Sequence, residues 1–129
     1  MSFRTVKLID NVRIDNDPTS FGANHDFLGV TPKRITFLLA AVETLEPTDI
    51  TITVEISPDR GLNLISYDKI ITGAGIDAPA SSIVLTATAD DVFSLSMEDI
   101  ITFVRVTVTG NGTTSTKFWD VELWMSYEY

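Results

Sequence analysis

Apolar and polar residues alternate over much of this chain, and that period of two constrains its fold more than any other feature. The signal is plainest in the last third. Thr102 to Val108 alternates, Gly110-Asn111-Gly112 has turn residues, and Trp119 to Tyr129 alternates again. Successive side chains on a strand point to opposite faces, so this stretch predicts a β-hairpin.

The same period runs upstream. Arg4 to Ile14 is extended in character, with Asp10-Asn11 marking a bulge or short turn. Asp15 to Asp26 is dense in Asp, Asn, Gly, Pro and Ser and predicts a long surface loop. In Arg34 to Val42 one face carries Ile35, Phe37, Leu39 and Ala41, and the other carries Leu38, Ala40 and Val42. A strand apolar on both faces is either central in the core or covered on its outer side. Thr48 to Ser57 sets Ile50, Ile52, Val54 and Ile56 against Thr51, Thr53, Glu55 and Ser57, and Pro58-Asp59-Arg60-Gly61 ends it with a turn. Leu64 to Ile71 predicts a further strand, and Gly73 to Ser81 a loop. Ile83, Leu85 and Ala87 then mark one inward face, and Phe93, Leu95 and Met97 another. Ser96-Met97-Glu98-Asp99 predicts a helical turn or a tight corner. Eight or nine short strands imply an all-β fold of two packed antiparallel sheets. A jelly roll is the first expectation and an immunoglobulin-like sandwich the second. With 129 residues the expectation is one domain spanning 1–129, with 1–17 as an N-terminal arm or an edge strand.

Composition removes several function classes. There is no cysteine, hence no disulfide and no thiolate nucleophile or ligand. The formal charge is −9, and the nine Lys and Arg residues are scattered. A nucleic-acid partner calls for a basic patch, and an anionic membrane repels such a chain, so neither is expected. The acidic balance suits docking on a basic protein surface. The first residues lack a long apolar run, and Phe37 to Val42 is too short to cross a bilayer, so a soluble chain without a secretory signal is expected.

Chemistry-bearing residues are sparse. His25 is the single histidine, and a metal or nucleophilic site needs further partners, so it is expected to be a loop residue capped by its neighbours. Asp15-Asn16-Asp17 offers oxygen ligands for calcium but lacks the EF-hand spacing, and the same residues are ordinary in turns. Asp90-Asp91 is expected to mark a turn between strands. Glu55 and Glu122 are the carboxylates best placed for glycoside hydrolysis, although no aromatic cleft accompanies them. Gly73-Ala74-Gly75 lacks the third glycine and helix of a nucleotide loop, and Asn111-Gly112-Thr113 fits a glycosylation sequon as well as a turn. No catalytic, cofactor or metal site is expected.

Trp124 differs from these. Alternation places Trp119, Val121, Leu123, Met125, Tyr127 and Tyr129 on one face and puts Trp124 on the other, between Glu122 and Ser126. A large ring on a polar face has three destinations: another subunit, a sugar, or a covering loop. Trp124, Leu38, Ala40 and Val42 are the candidate interface residues.

Ile50 to Gly61, and Glu98-Asp99-Ile100-Ile101 leading into Phe103 to Thr109, resemble segments of small β-sandwich virion proteins of tailed bacteriophages. These are capsid decoration (cement) proteins and related head or tail accessory proteins. The likeness spans roughly Arg34 to Tyr129 and is one of pattern. It implies a non-enzymatic protein, made in the host cytoplasm, that forms trimers on the outer capsid surface and reinforces contacts between major capsid subunits. Met1 to Asp17 takes the place of a docking arm, while the Asp15 to Asp26 loop has no counterpart. Two other readings stay open. One is a carbohydrate-binding module stacking sugars on Trp119, Trp124, Tyr67, Tyr127 and Tyr129. The other is a small glycoside hydrolase or lyase using Glu55 and Glu122.

Overall fold

The computed structural model describes residues 3–72 and 80–129. The expected loop at Gly73 to Ser81 falls mostly outside these residues, and Gly73-Ala74-Gly75 does so entirely. Ten strands form among the described residues: β1 (Phe3–Ile14), β2 (Ser20–Asp26), β3 (Arg34–Thr44), β4 (Asp49–Ser57), β5 (Ile65–Ser66), β6 (Ile70–Ile71), β7 (Ile83–Leu85), β8 (Ala89–Leu95), β9 (Phe103–Asn111) and β10 (Phe118–Glu128). Sheet I has the order β1-β10-β3-β8-β6, and sheet II the order β2-β9-β4-β5 with β7 also on β4. All pairings are antiparallel.

Between successive strands the chain almost always changes sheet; β4 to β5 is the exception. With β1 beside β10 and β2 beside β9, this is jelly-roll wiring, in which β5 and β6 are short additions. The core lies between the inner faces. Ile35, Phe37, Leu39 and Ala41 of β3 meet Ile50, Ile52, Val54 and Ile56 of β4 there, all buried. Phe37 and Phe93, neighbours across β3 and β8, stack at 4.8 Å.

Several expectations change at this level. The predicted hairpin is an arch. β9 pairs with β2 and β4 in sheet II, whereas β10 pairs with β1 and β3 in sheet I. Both strands carry a fully apolar face, Val104, Val106 and Val108 on one and Trp119, Val121, Leu123 and Met125 on the other. Placed across the sandwich, these two faces seal each other from water. Gly112 begins the crossing at φ 66°, and a Cβ there would run into Thr48. The end of the predicted Asp15 to Asp26 loop is instead strand β2, whose Ser20 and Asn24 are exposed while Ala23 is buried. Leu64 to Ile71 is not one strand: Ile65–Ser66 pairs with β4 in sheet II and Ile70–Ile71 with β8 in sheet I, so the chain crosses sheets here. Asp90 and Asp91 lie inside β8, opposite Ala40 and Leu39, and not in a turn. Ala87 lies beyond β7 and is exposed. Ser96 to Asp99 makes a tight corner with no helix.

Other features appear where the sequence places them. The interruption at Asp10-Asn11 is a pair of register shifts in β1, with Asn11 at φ 51°. β1 is an edge strand of sheet I, hydrogen-bonded along β10. The turn after β4 is clasped by Ser57, which is buried and not on the polar surface. Its hydroxyl donates to Asp59 Oδ1 at 2.6 Å and accepts the Gly61 N–H at 2.9 Å. The Ser57 hydroxyl, with the side-chain and backbone N–H groups of Asn63, holds the Asp59 carboxyl below its usual range.

Candidate functional site

The outer face of sheet I carries a row of apolar side chains fixed by strand register. Trp124 on β10 lies opposite Leu38 on β3, and Leu38 lies opposite Val92 on β8. Lys7 on β1 completes the row at its other end. At about 4.8 Å per strand, the row from Lys7 to Val92 spans roughly 14 Å. Leu38 is 44% exposed, Val92 57% and Trp124 38%. An open groove of about 390 Å³ runs beside them, edged by Thr5, Thr36 and Ser126.

The Trp124 ring is partly covered by Lys7, whose Nζ lies 4.9 Å from the ring centroid. Lys7 is held there by Asp10 at 2.8 Å and Glu122 at 3.4 Å. The hydrogen bond to Asp10, with help from Glu122, raises the lysine above its ordinary value. Of the destinations sequence allowed for Trp124, a covering loop of this chain is absent among the described residues. Ala40 sits one rung from Leu38, between Glu122 and Asp90. Val42, 51% exposed, sits one rung further, opposite Asp120. Register therefore brings Trp124 and Leu38 into direct apposition and places Ala40 and Val42 along the same face. Val92 belongs to the row as well. Alternation around Phe93 and Leu95 marks Val92 as outward, but its place beside Leu38 needs the strand order.

The other candidates do not converge. Glu55 lies on the outer face of sheet II, opposite Arg105, and Glu122 on the outer face of sheet I. The core separates them by more than about 10 Å, beyond the spacing a carboxylate pair needs for glycoside cleavage. His25 is on β2 and not in a loop. It packs edge-on against Phe27 at 4.8 Å and tilts against Tyr127 at 5.2 Å, and burial lowers its pKa despite the nearby Asp26. Asp15 uses Oδ1 to accept the Asp17 N–H at 2.8 Å, a local turn bond. Among the described residues no three His, Cys, Asp or Glu side chains gather as a metal set. The Asn111 side chain donates to Asp49 and Thr51.

The aromatic residues considered for sugar stacking are dispersed. Trp119, Tyr67 and Tyr127 are buried. The Tyr67 hydroxyl donates to the Ser96 carbonyl, and burial pushes its pKa up to about 12. Tyr129 is exposed at the sandwich end and stacks edge-on with Tyr127, away from Trp124. Trp124 is the one aromatic of the five on an open sheet face.

No protein-family model matches the chain, and no curated protein sequence matches it. Solved structures do match in fold. The chain is similar to the crystal structure of the infectious bursal disease virus VP2 subviral particle, with TM-score 0.55 and 14% identity over 98% of this chain. Infectious bursal virus derived T=1 particles match with TM-score 0.57, at 14% identity over 99% of this chain. In both cases this chain spans about a third (32%) of the length of the viral one. A Bacteroides thetaiotaomicron protein described as a candidate for sugar binding matches with TM-score 0.51 and 9% identity, over 99% of this chain and 82% of that one. At these identities the likeness establishes the fold, a jelly-roll-like β-sandwich shared by viral capsid and other proteins.

Proposed function

We propose that this chain is a non-enzymatic structural protein of a virion, a decoration protein of tailed-phage type on the capsid surface. It works as a homo-oligomer, a trimer by preference, docked on the major capsid protein. The observation that carries this reading is the Trp124-Leu38-Val92 row on the outer face of sheet I. Folding needs only the inner face of each sheet to be apolar, so a second apolar face is surplus unless another macromolecule covers it. A specific interface buries roughly 800 Å² per partner with an apolar centre and polar rim. The row has that character, and Trp is the residue most enriched at such centres. The fold shared with viral capsid chains is consistent with a role in a shell. Light scattering at high micromolar concentration, with co-sedimentation on capsids lacking the protein, tests the reading. Oligomers that bind capsids and raise their disassembly temperature are expected. A strict monomer that leaves capsids unaltered rules it out.

A carbohydrate-binding module is the second reading. It is favoured by the exposed Trp124 ring, edged by the hydroxyls of Thr5, Thr36 and Ser126. Saturable binding on a glycan panel, lost in Trp124→Ala, would promote it over the first.

A further inference from the structure

The apolar row on sheet I is bordered by acid. In the adjacent rung, Glu122, Ala40 and Asp90 lie side by side on β10, β3 and β8. This puts two carboxylate-bearing positions about 10 Å apart across Ala40. Asp120 stands a rung further, beside Val42. The cations of the face are already engaged. Lys7 is held by Asp10 and Glu122, Arg13 by Asp120 at 3.1 Å, and Arg34 lies 3.7 Å from Glu128. Among the described residues Asp90 makes no ion pair, and it is exposed. The outer face thus holds Asp10, Asp90, Asp120, Glu122 and the buried Glu128 against Lys7, Arg13 and Arg34, while Arg4 of β1 lies opposite the inward Tyr127, on a chain of formal charge −9. Two such faces brought together would juxtapose like charges around their apolar centres, which disfavours that encounter.

We propose that the occupant of this face is a basic protein surface, in which an aliphatic or aromatic side chain lies between Lys or Arg side chains, and not a second copy of this chain. The inference rests on the reading of the face as a docking surface, and it assigns self-assembly to another part of the molecule. The apolar side chain enters the groove beside Trp124, while the flanking cations meet Asp90 and Glu122. The contact is therefore salt-sensitive.

Trp124 is a built-in reporter, because Trp119 is fully buried. The test is a fluorescence titration with three capped peptides. One has a Leu-Phe centre flanked by two lysines on each side, one is its glutamate-flanked counterpart, and one is a lysine-flanked Ser-Gly control. Saturable binding by the first alone is expected, weakened in 0.5 M salt. Asp90→Asn and Glu122→Gln should each lower the affinity up to about fivefold. Urea midpoints near that of the parent protein confirm that these surface variants fold. The oligomer, measured by light scattering, should survive in Trp124→Ser. Equal binding of the glutamate-flanked peptide, no saturation by any peptide, indifference to both carboxylate variants, or an oligomer that dissociates in Trp124→Ser overturns the proposal. Peptide binding without capsid association removes the virion reading alone. Capsid association without peptide binding removes this inference alone.

Discussion

The outer faces of the two sheets arise from the same strand pattern and expose different chemistry. On sheet II the rungs across β2, β9 and β4 are polar apart from Gly22, and the exposed Val84 of β7 extends one of them. Ser20, Thr109 and Thr51 align, then Gly22, Thr107 and Thr53, then Asn24, Arg105 and Glu55. Their side chains satisfy one another: Ser20 and Thr109 hydroxyls lie at 3.2 Å, and Arg105 Nε donates to Asn24 at 2.9 Å. On sheet I the corresponding central rung is Trp124, Leu38 and Val92. A threonine-rich face suits β-structure and remains at ease in water. Sheet II shows that the sandwich closes with such a face outward. The apolar outer face of sheet I is therefore not a requirement of folding, and this gives it functional weight.

The largest test of this contrast compares neighbours on one strand. Leu39 is fully buried and Leu38 is 44% exposed. Leu39→Ala should cost about 2–5 kcal/mol in urea unfolding, and Leu38→Ala under about 1 kcal/mol. Equal costs would mean that the outer row is part of the core, and the contrast would collapse. Matched charges on the two outer faces come next. Leu38→Lys should weaken binding of the lysine-flanked peptide at least about tenfold, whereas Thr53→Lys on sheet II should leave it within about twofold. A smaller effect separates the two tryptophans. Acrylamide should quench Trp124 and spare Trp119, and Trp124→Phe should leave emission resistant to quenching.

The smallest test lies at the seam, where His25 of sheet II meets Tyr127 of sheet I. Burial lowers the His25 pKa in the folded state. Below the ordinary histidine value of about 6.5 the unfolded chain then binds more protons than the folded one. Stability from this residue is complete above that pH and declines as pH falls below it. Because His25 is only partly buried, a drop of about 1 °C in Tm between pH 7.5 and 5.5 is expected. His25→Asn should abolish the drop. An unchanged slope would show that His25 is not its source, since the lowered carboxylates of Asp26 and Asp59 stay ionised throughout this window.

Much of the fold was legible along single strands. The inner face of β4 read directly, because it keeps strict alternation over nine residues, and that of β10 read nearly so, Trp124 apart; β3, apolar on both sides, left its inner face to the tertiary structure. Partnership was not legible. Gly110-Asn111-Gly112 followed by another alternating segment looks like a hairpin, yet the two apolar faces are better sealed across the sandwich than side by side. β2 was hidden because Ser20 to Asp26 has the composition of a loop, and its strand conformation is secured by ladder bonds to β9. The division of Leu64 to Ile71 between sheets has no local signal. At the candidate site, Trp124 and Leu38 could be singled out as apolar residues on the wrong side of their strands. Val92 and Lys7 could not, since their positions beside that pair depend on which strands adjoin β10 and β3.

Sequence by itself determined that this is an all-β chain, which residues point inward, and that some apolar surface would be left over. Alternation is a local property, because each side chain's direction follows from its neighbours' backbone geometry. Only the tertiary structure decided that Trp124, Leu38 and Val92, out of that surplus, form one row edged by Glu122 and Asp90 on sheet I. Strand order joins residues more than eighty positions apart through backbone hydrogen bonds, which are the same for every side chain and so leave no mark in the amino-acid pattern.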